Sequence, residues 1–189
     1  MPITPDDKDW TWVLERPCPE CGFDPAAVSF RDVPEAVREN LAGWRSVLAG
    51  DGVDTRPDDA TWSPLEYAAH VRDVFRIMHA RLNLMLVLDD PEFANWDQDA
   101  TQVEQDYNGQ DPKHVAIEMV DAGLGIASAF ELVPDAALAR TGRRSNGSTF
   151  TVETLAAYFL HDVVHHLHDV GGVAGGGVVG VSGEASAAS

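Results

Sequence analysis

The sequence predicts an all-α protein: a four-helix bundle with an irregular lead-in and a flexible tail rich in small residues. Three observations predict it. Four stretches, 33–48, 63–88, 112–132 and 151–170, read as helices with an apolar face. Each is bounded by a cap or by a Gly or Pro breaker. Hydrophobic residues make up 44% of the 189, enough for one core, and no internal repeat divides the chain. The expected organisation is an irregular segment over 1–30, the bundle over 31–170 and the tail over 171–189.

Within the lead-in, Trp10, Trp12 and Leu14 alternate with Thr11 and Val13, as a short extended piece or as apolar anchors on the main body. Pro17-Cys18-Pro19-Glu20-Cys21-Gly22-Phe23 resembles half of a zinc knuckle, or a redox pair. The chain has no other cysteines, so zinc there needs histidine or carboxylate partners or a second chain. The favoured expectation is a proline-stiffened turn with two small buried side chains. Asp24-Pro25 starts a turn or a short helix. In the first helix, Val37, Leu41, Trp44 and Leu48 form one stripe, Pro34 suits the first turn, and Gly50-Asp51-Gly52 ends it. Asp51 to Ala60 reads as a loop.

Trp62-Ser63-Pro64-Leu65-Glu66 is the clearest helix start. Ser63 is the cap, Pro64 takes the first position, and Glu66 completes a capping box. This second helix, to about Leu88, carries His70 on or near its buried face. Glu92 to Asp111 reads as a long connection anchored by Phe93, Trp96 and Tyr107, suited to roof a site. Pro112 to Leu132 is the third helix, in which Gly123 and Gly125 either weaken it or admit a close neighbour. The basic cluster Arg140 to Ser148 reads as a solvated connection. Thr151 caps the fourth helix, and Gly171-Gly172 stops it.

With 13 basic and 31 acidic residues the net charge is −18, a surface that repels nucleic acid and anionic lipid. Neither a signal-peptide pattern nor an apolar run of roughly 20 residues is present. Two cysteines so close in sequence are no disulfide framework and suggest a reducing compartment. The expectation is a cytoplasmic homodimer acting on a small molecule, without nucleic-acid or membrane partners.

The chemistry concentrates in His161-Asp162-Val163-Val164-His165-His166-Leu167-His168-Asp169, which holds four of the seven histidines. His161 and His165 share a helix face, as two imidazoles gripping one ion must. His70 is the candidate third ligand. Three imidazoles leave a coordination position open, the arrangement of a catalytic metal such as zinc, nickel or iron. His168 extends the first pair as a rival selection. Asp162, His166 and Asp169 form a second series turned about 100° away, facing a flank or solvent, where carboxylates orient ligand histidines or are simply wet. His79 and His114 are expected to be structural or exposed.

Two motifs carry a family resemblance. Trp62-Ser63-Pro64-Leu65-Glu66-Tyr67-Ala68-Ala69-His70-Val71-Arg72-Asp73 resembles the second-helix signature of the DinB-like (YfiT-like) metalloenzymes, and His161-Asp162-Val163-Val164-His165-His166 resembles their closing motif. The superfamily includes the metal-binding domain of mycothiol-dependent maleylpyruvate isomerase and the bacillithiol transferases. The resemblance implies up-down-down-up connectivity, with Glu92–Asp111 crossing between parallel helices. It implies His70, His161 and His165 as ligands of a divalent metal, zinc or nickel. It also implies a thiol S-transferase or isomerase that activates a low-molecular-weight thiol such as mycothiol against a small electrophile. Some members carry an acidic residue at the first closing histidine, where this chain has His161. Many follow the second with arginine, where this chain has His166. A non-enzymatic module that binds metal, dimerises or responds to stress is the alternative.

Overall fold

A computed structural model describes residues 9–172. The N-terminal eight residues and most of the expected tail lie outside the described residues. The lead-in folds into short 3₁₀ turns over Trp10–Leu14, Pro25–Ala27 and Phe30–Asp32. It runs directly into helix α1, Val33–Leu48. Helix α2, Pro64–Val87, starts as expected: the Ser63 hydroxyl accepts from Glu66 N at 3.1 Å, and Ser63 N donates to Glu66 Oε2 at 2.8 Å. Arg56 and Gln102 also donate to the Glu66 carboxylate, which fixes the preceding loop and part of the later connection to this corner.

The remaining α-helices among the described residues are α3, Gln98–Glu104, α4, Pro112–Glu131, and α5, Val152–Asp169. Thr151 caps α5, accepting from Thr154 N at 3.1 Å. Gly171, at φ +68°, ends it in a left-handed turn that lets Gly172 N reach Leu167 O at 2.9 Å.

Four long helices make the bundle, and their contacts fix its sense. Arg38 on α1 pairs with Glu131 on α4, while Leu41 lies against Gly123, so these two run antiparallel. On α2, Arg76 pairs with Glu118 and His79 lies beside Gly125, so α2 and α4 run parallel. Tyr67 meets His166 and Phe75 meets Phe159, so α5 opposes α2. The order is up-down-down-up. Phe159 packs edge-on to Phe75 and stacks on Phe130 in the centre, with ring centroids 5.9 and 5.5 Å apart, and Trp44 is also buried.

The parallel pair requires a chain crossover, which occupies residues 88–111. This connection contains α3, which lacks a buried residue of its own and so gave no periodic apolar signal. Tyr107, fully buried, donates to Asp73 Oδ2 at 2.6 Å and pins the connection to α2.

The basic cluster expected as a solvated connection is instead a hairpin. Strands β1, Glu92–Phe93, β2, Thr141–Arg144, and β3, Thr149–Thr151, form a small sheet, β1 parallel and β3 antiparallel to β2. The arginines explain it. Arg140 donates to Met85 O at 2.6 Å and Leu88 O at 2.7 Å, satisfying carbonyls at the α2 C-terminus. Arg144 lies over the rings of Phe150 and Tyr158.

The two helical glycines of α4 separate cleanly. A Cβ on Gly123 would stand 2.8 Å from Leu41 Cδ2 and 3.1 Å from Phe75, whereas one on Gly125 meets only His79 at 3.7 Å. Gly123→Ala should therefore overpack the junction and cost about 1–3 kcal/mol. Gly125→Ala should stabilise by about 0.5–1 kcal/mol through helix propensity. Urea unfolding midpoints moving in opposite directions check the pair.

Candidate metal centre

Among the described residues, the metal-ligating side chains gather in two groups, His70 with Asp162 and His166, and Cys18 with Cys21, His161 and His165. The trio expected from the sequence, His70, His161 and His165, is thus divided between them. The physical reason is the phase of α5. Residues 161 and 165 point about 100° away from residues 162 and 166. Helix α2 packs against the second flank, and the lead-in covers the first. The series expected to face a flank or solvent is therefore the one that meets His70. His168 is exposed, and His114 sits on the surface 3.7 Å from Glu118.

His70 is fully buried on α2. Its ring stacks on Trp96 of the crossover, with centroids 5.1 Å apart and planes inclined by 7°, and Trp62 packs at 5.4 Å. The crossover thus roofs the histidine. Asp162 Oδ1 lies 3.6 Å from His70 Nε2 and 3.3 Å from His166 Nε2. Both nitrogens of His70 and Asp162 Oδ1 are buried without a hydrogen-bond partner among the described residues. Orphaned donors and acceptors at such a focus call for a ligand. Ligand atoms around one ion at about 2.0–2.1 Å stand roughly 2.9–3.4 Å from each other, close to the spacing here. Asp169 Oδ2 lies 3.1 Å from His166 Nδ1 and holds that ring with Nε2 toward Asp162, as carboxylates do behind ligand histidines.

The charge states suit the same purpose. Burial pushes the His70 pKa down, beyond what Asp162 returns, so the ring is a neutral imidazole at neutral pH. Burial pushes Asp162 up, but His70 and His166 outweigh it and hold the carboxyl below its usual range. Burial also raises Tyr67 to about 12, with Asp169 adding to it, so this phenol stays protonated.

The focus opens on a cleft of about 450 Å³ with Asp162 and His166 in its lining. Trp10, Glu20, Trp62, Tyr67, Gln98 and Tyr158 make its walls. The lead-in and the crossover therefore enclose a site whose floor is α5. A smaller chamber of about 60 Å³ adjoins it, sharing Gln98, Tyr158 and Asp162 and reaching Arg81 and Arg144.

Some of this was accessible in the sequence and some was not. Asp162 and His166 are four apart, as His161 and His165 are, but spacing alone does not say which pair faces α2. Trp10 and Trp12 are anchors, as one expectation had it, packing on His161 with centroids 5.6 and 6.5 Å away. The cysteines do lie in a buried turn, closed by Gly22 N donating to Cys18 O at 2.9 Å with Gly22 at φ +74°. The turn docks on His161 and His165.

Fold and site together define a four-helix-bundle protein with a histidine–carboxylate focus between its second and last long helices. The chain belongs to the DinB superfamily, whose family model matches residues 34–170. It is similar in structure to YfiT from Bacillus subtilis, described as a probable metal-dependent hydrolase with an unusual four-helix bundle topology. The TM-score is 0.68 at 18% sequence identity, covering 75% of this chain and 83% of that one. No curated protein matches the chain. No helix among the described residues is long and apolar enough to cross a membrane.

Proposed function

We propose that this protein is a metal-dependent enzyme acting on a small molecule in the cleft, with His70, Asp162 and His166 holding one divalent ion, zinc or nickel. The observation that carries the reading is the convergence of these side chains from two helices, with both His70 nitrogens and Asp162 Oδ1 buried and without a hydrogen-bond partner among the described residues. The description of YfiT as metal-dependent supports it. The donor set fits the ion: two imidazoles and one carboxylate leave positions open for a reactant. Such an ion supplies Lewis acidity and lowers the pKa of a bound water or thiol. The chain's own residues do the rest. Trp62 and Trp96 hold the His70 ring in place, Asp169 orients His166, and the protonated Tyr67 phenol at the wall can donate to a developing oxyanion. A low-molecular-weight thiol is the nucleophile we favour, and water is the alternative.

The adjoining chamber supports a substrate with an anionic group. Arg81 is 6% exposed and donates to Ala94 O, and Arg144 donates to Ser148 Oγ; no ion pair is formed by either among the described residues. Burial, and then Arg144, pull the Arg81 pKa down to about 10. Arg144 Nε is buried without a hydrogen-bond partner among the described residues. Guanidiniums without a carboxylate partner in an acidic protein are suited to a carboxylate or phosphate. In Arg144→Met, KM for an acidic substrate should rise about 10–100-fold with kcat little changed, and a neutral analogue should respond far less.

The test is to strip the protein with chelator and reload it with zinc, nickel, iron or manganese. Hydrolysis of small esters and amides is followed, together with loss of a low-molecular-weight thiol onto an electrophile. Metal-dependent turnover in the thiol assay supports the reading. Turnover in the hydrolysis assay alone replaces the thiol by water. A loaded protein inactive in both is a binding module.

A further inference from the structure

We infer that Cys18, Cys21, His161 and His165 form a second, structural zinc site that fastens the lead-in to α5. One ligand atom from each of the four lies within 4.8 Å of all the others. All four side chains are buried, at 1, 8, 4 and 7% exposure, and both thiols are free. Cys18 Sγ stands 3.7 Å from His165 Nδ1. In a tetrahedral zinc site with Zn–S about 2.3 Å and Zn–N about 2.0–2.1 Å, a sulfur–nitrogen edge measures roughly 3.5 Å. His161 Nε2 is buried without a hydrogen-bond partner among the described residues.

The surroundings are those of a ligand set. On the far side of its ring, His165 Nε2 lies 3.4 Å from Glu20 Oε2 and 3.6 Å from Asp169 Oδ1, where carboxylates orient a metal-bound imidazole. Trp10 packs on both histidines, at 5.6 and 5.2 Å, and Phe23 on His161 at 5.6 Å, covering the focus on the lead-in side, while both histidines also border the cleft. Charge balances too. On binding, each thiol gives its proton to solvent, and two thiolates neutralise the dication, so no net charge is added to a buried place. Four protein donors close the coordination sphere, which makes the site structural rather than catalytic. Its effect reaches the cleft, because Trp10 and Glu20 of the fastened segment form part of the wall.

The experiment uses the full chain, expressed with zinc and purified without a metal column. The His70→Ala variant, which removes a ligand of the first group only, should retain one equivalent of zinc per chain by elemental analysis. The Cys18→Ser/Cys21→Ser variant should lose that equivalent and keep the one at His70, and the lead-in should be cut at least tenfold faster by protease. If that variant does not fold, the native protein decides. Titrating its thiols with a mercurial should release one zinc per two thiols to a chromophoric chelator. Cobalt substitution should give a thiolate-to-metal charge-transfer band with tetrahedral d–d bands. Thiols that react freely with no zinc released, a Cys18–Cys21 disulfide in freshly isolated protein, or metal content unchanged in the double variant would each overturn the site. None of these readouts depends on activity, so the first group can fail while this one stands.

Discussion

In the His70→Ala variant, affinity for the divalent ion at the His70–Asp162–His166 group should fall at least about 100-fold, and metal-dependent turnover should fall with it. Outer partners of ligand histidines are worth about 10–100-fold in metal affinity, and a direct ligand is worth no less. His70 is the sole contribution of α2 to the group, so its loss leaves only Asp162 and His166, both from one turn of α5. The ring also fills space between Trp62 and Trp96, so the substitution opens a cavity there. That cavity makes a control available: added imidazole should occupy it and recover part of the affinity. Competition against a chromophoric chelator measures both effects. Unchanged affinity would remove His70 from the ligand set, and lost affinity that imidazole never recovers would point to collapse of the roof.

Asp73→Ala should cost about 3 kcal/mol of stability, roughly 6–12 °C in melting temperature for a chain of this size. Arg72 donates to both Asp73 oxygens, at 2.9 and 3.0 Å, and Tyr107 donates at 2.6 Å. Removing the carboxylate strands a buried phenol and unpairs one side of a guanidinium that is 3% exposed. The cost sits at the low end for a broken buried pair because Arg72 still faces Glu118 at 2.9 Å. The pH dependence follows from the direction of the shift. Burial pushes the Asp73 pKa up, but Arg72 and Tyr107 outweigh it, and the folded value lies below the unfolded one. Its contribution is therefore full above about pH 4 and is lost as pH falls through the folded pKa. Denaturation curves of wild type and variant should converge in acid. A constant gap down to pH 2 would show that Asp73 acts through packing alone.

The bundle was legible because its signals are local. The Ser63–Glu66 box, Pro34, Pro112, Thr151 and Gly171 mark ends by short-range chemistry, and apolar stripes mark faces. Helix α3 escaped because its seven residues bury nothing, and the Arg140–Ser148 hairpin because its order comes from helix carbonyls and aromatic rings distant in sequence. The histidines show the limit most clearly. Two donor pairs lie one residue out of phase on a single helix, and each has the spacing a metal requires. Which pair meets His70 depends on the rotational setting of α5, which is fixed by packing on α2 and by the docked lead-in. Neither contact is written in the spacing. The cysteine turn could be read as needing histidine partners, but only the fold identifies them.

The docking of the lead-in on the last helix also sets a temporal order. Cys18 and His165 are 147 positions apart, so the lead-in leaves the ribosome long before its seat on α5 is made. The crossover imposes a similar wait, since α2 must hold its flank open until α4 arrives alongside. Assembly is thereby weighted toward distant contacts, which slows folding relative to a bundle of sequential hairpins. Until α5 has been made the two thiols stand unprotected, so a nascent chain is more open to oxidation than the folded molecule.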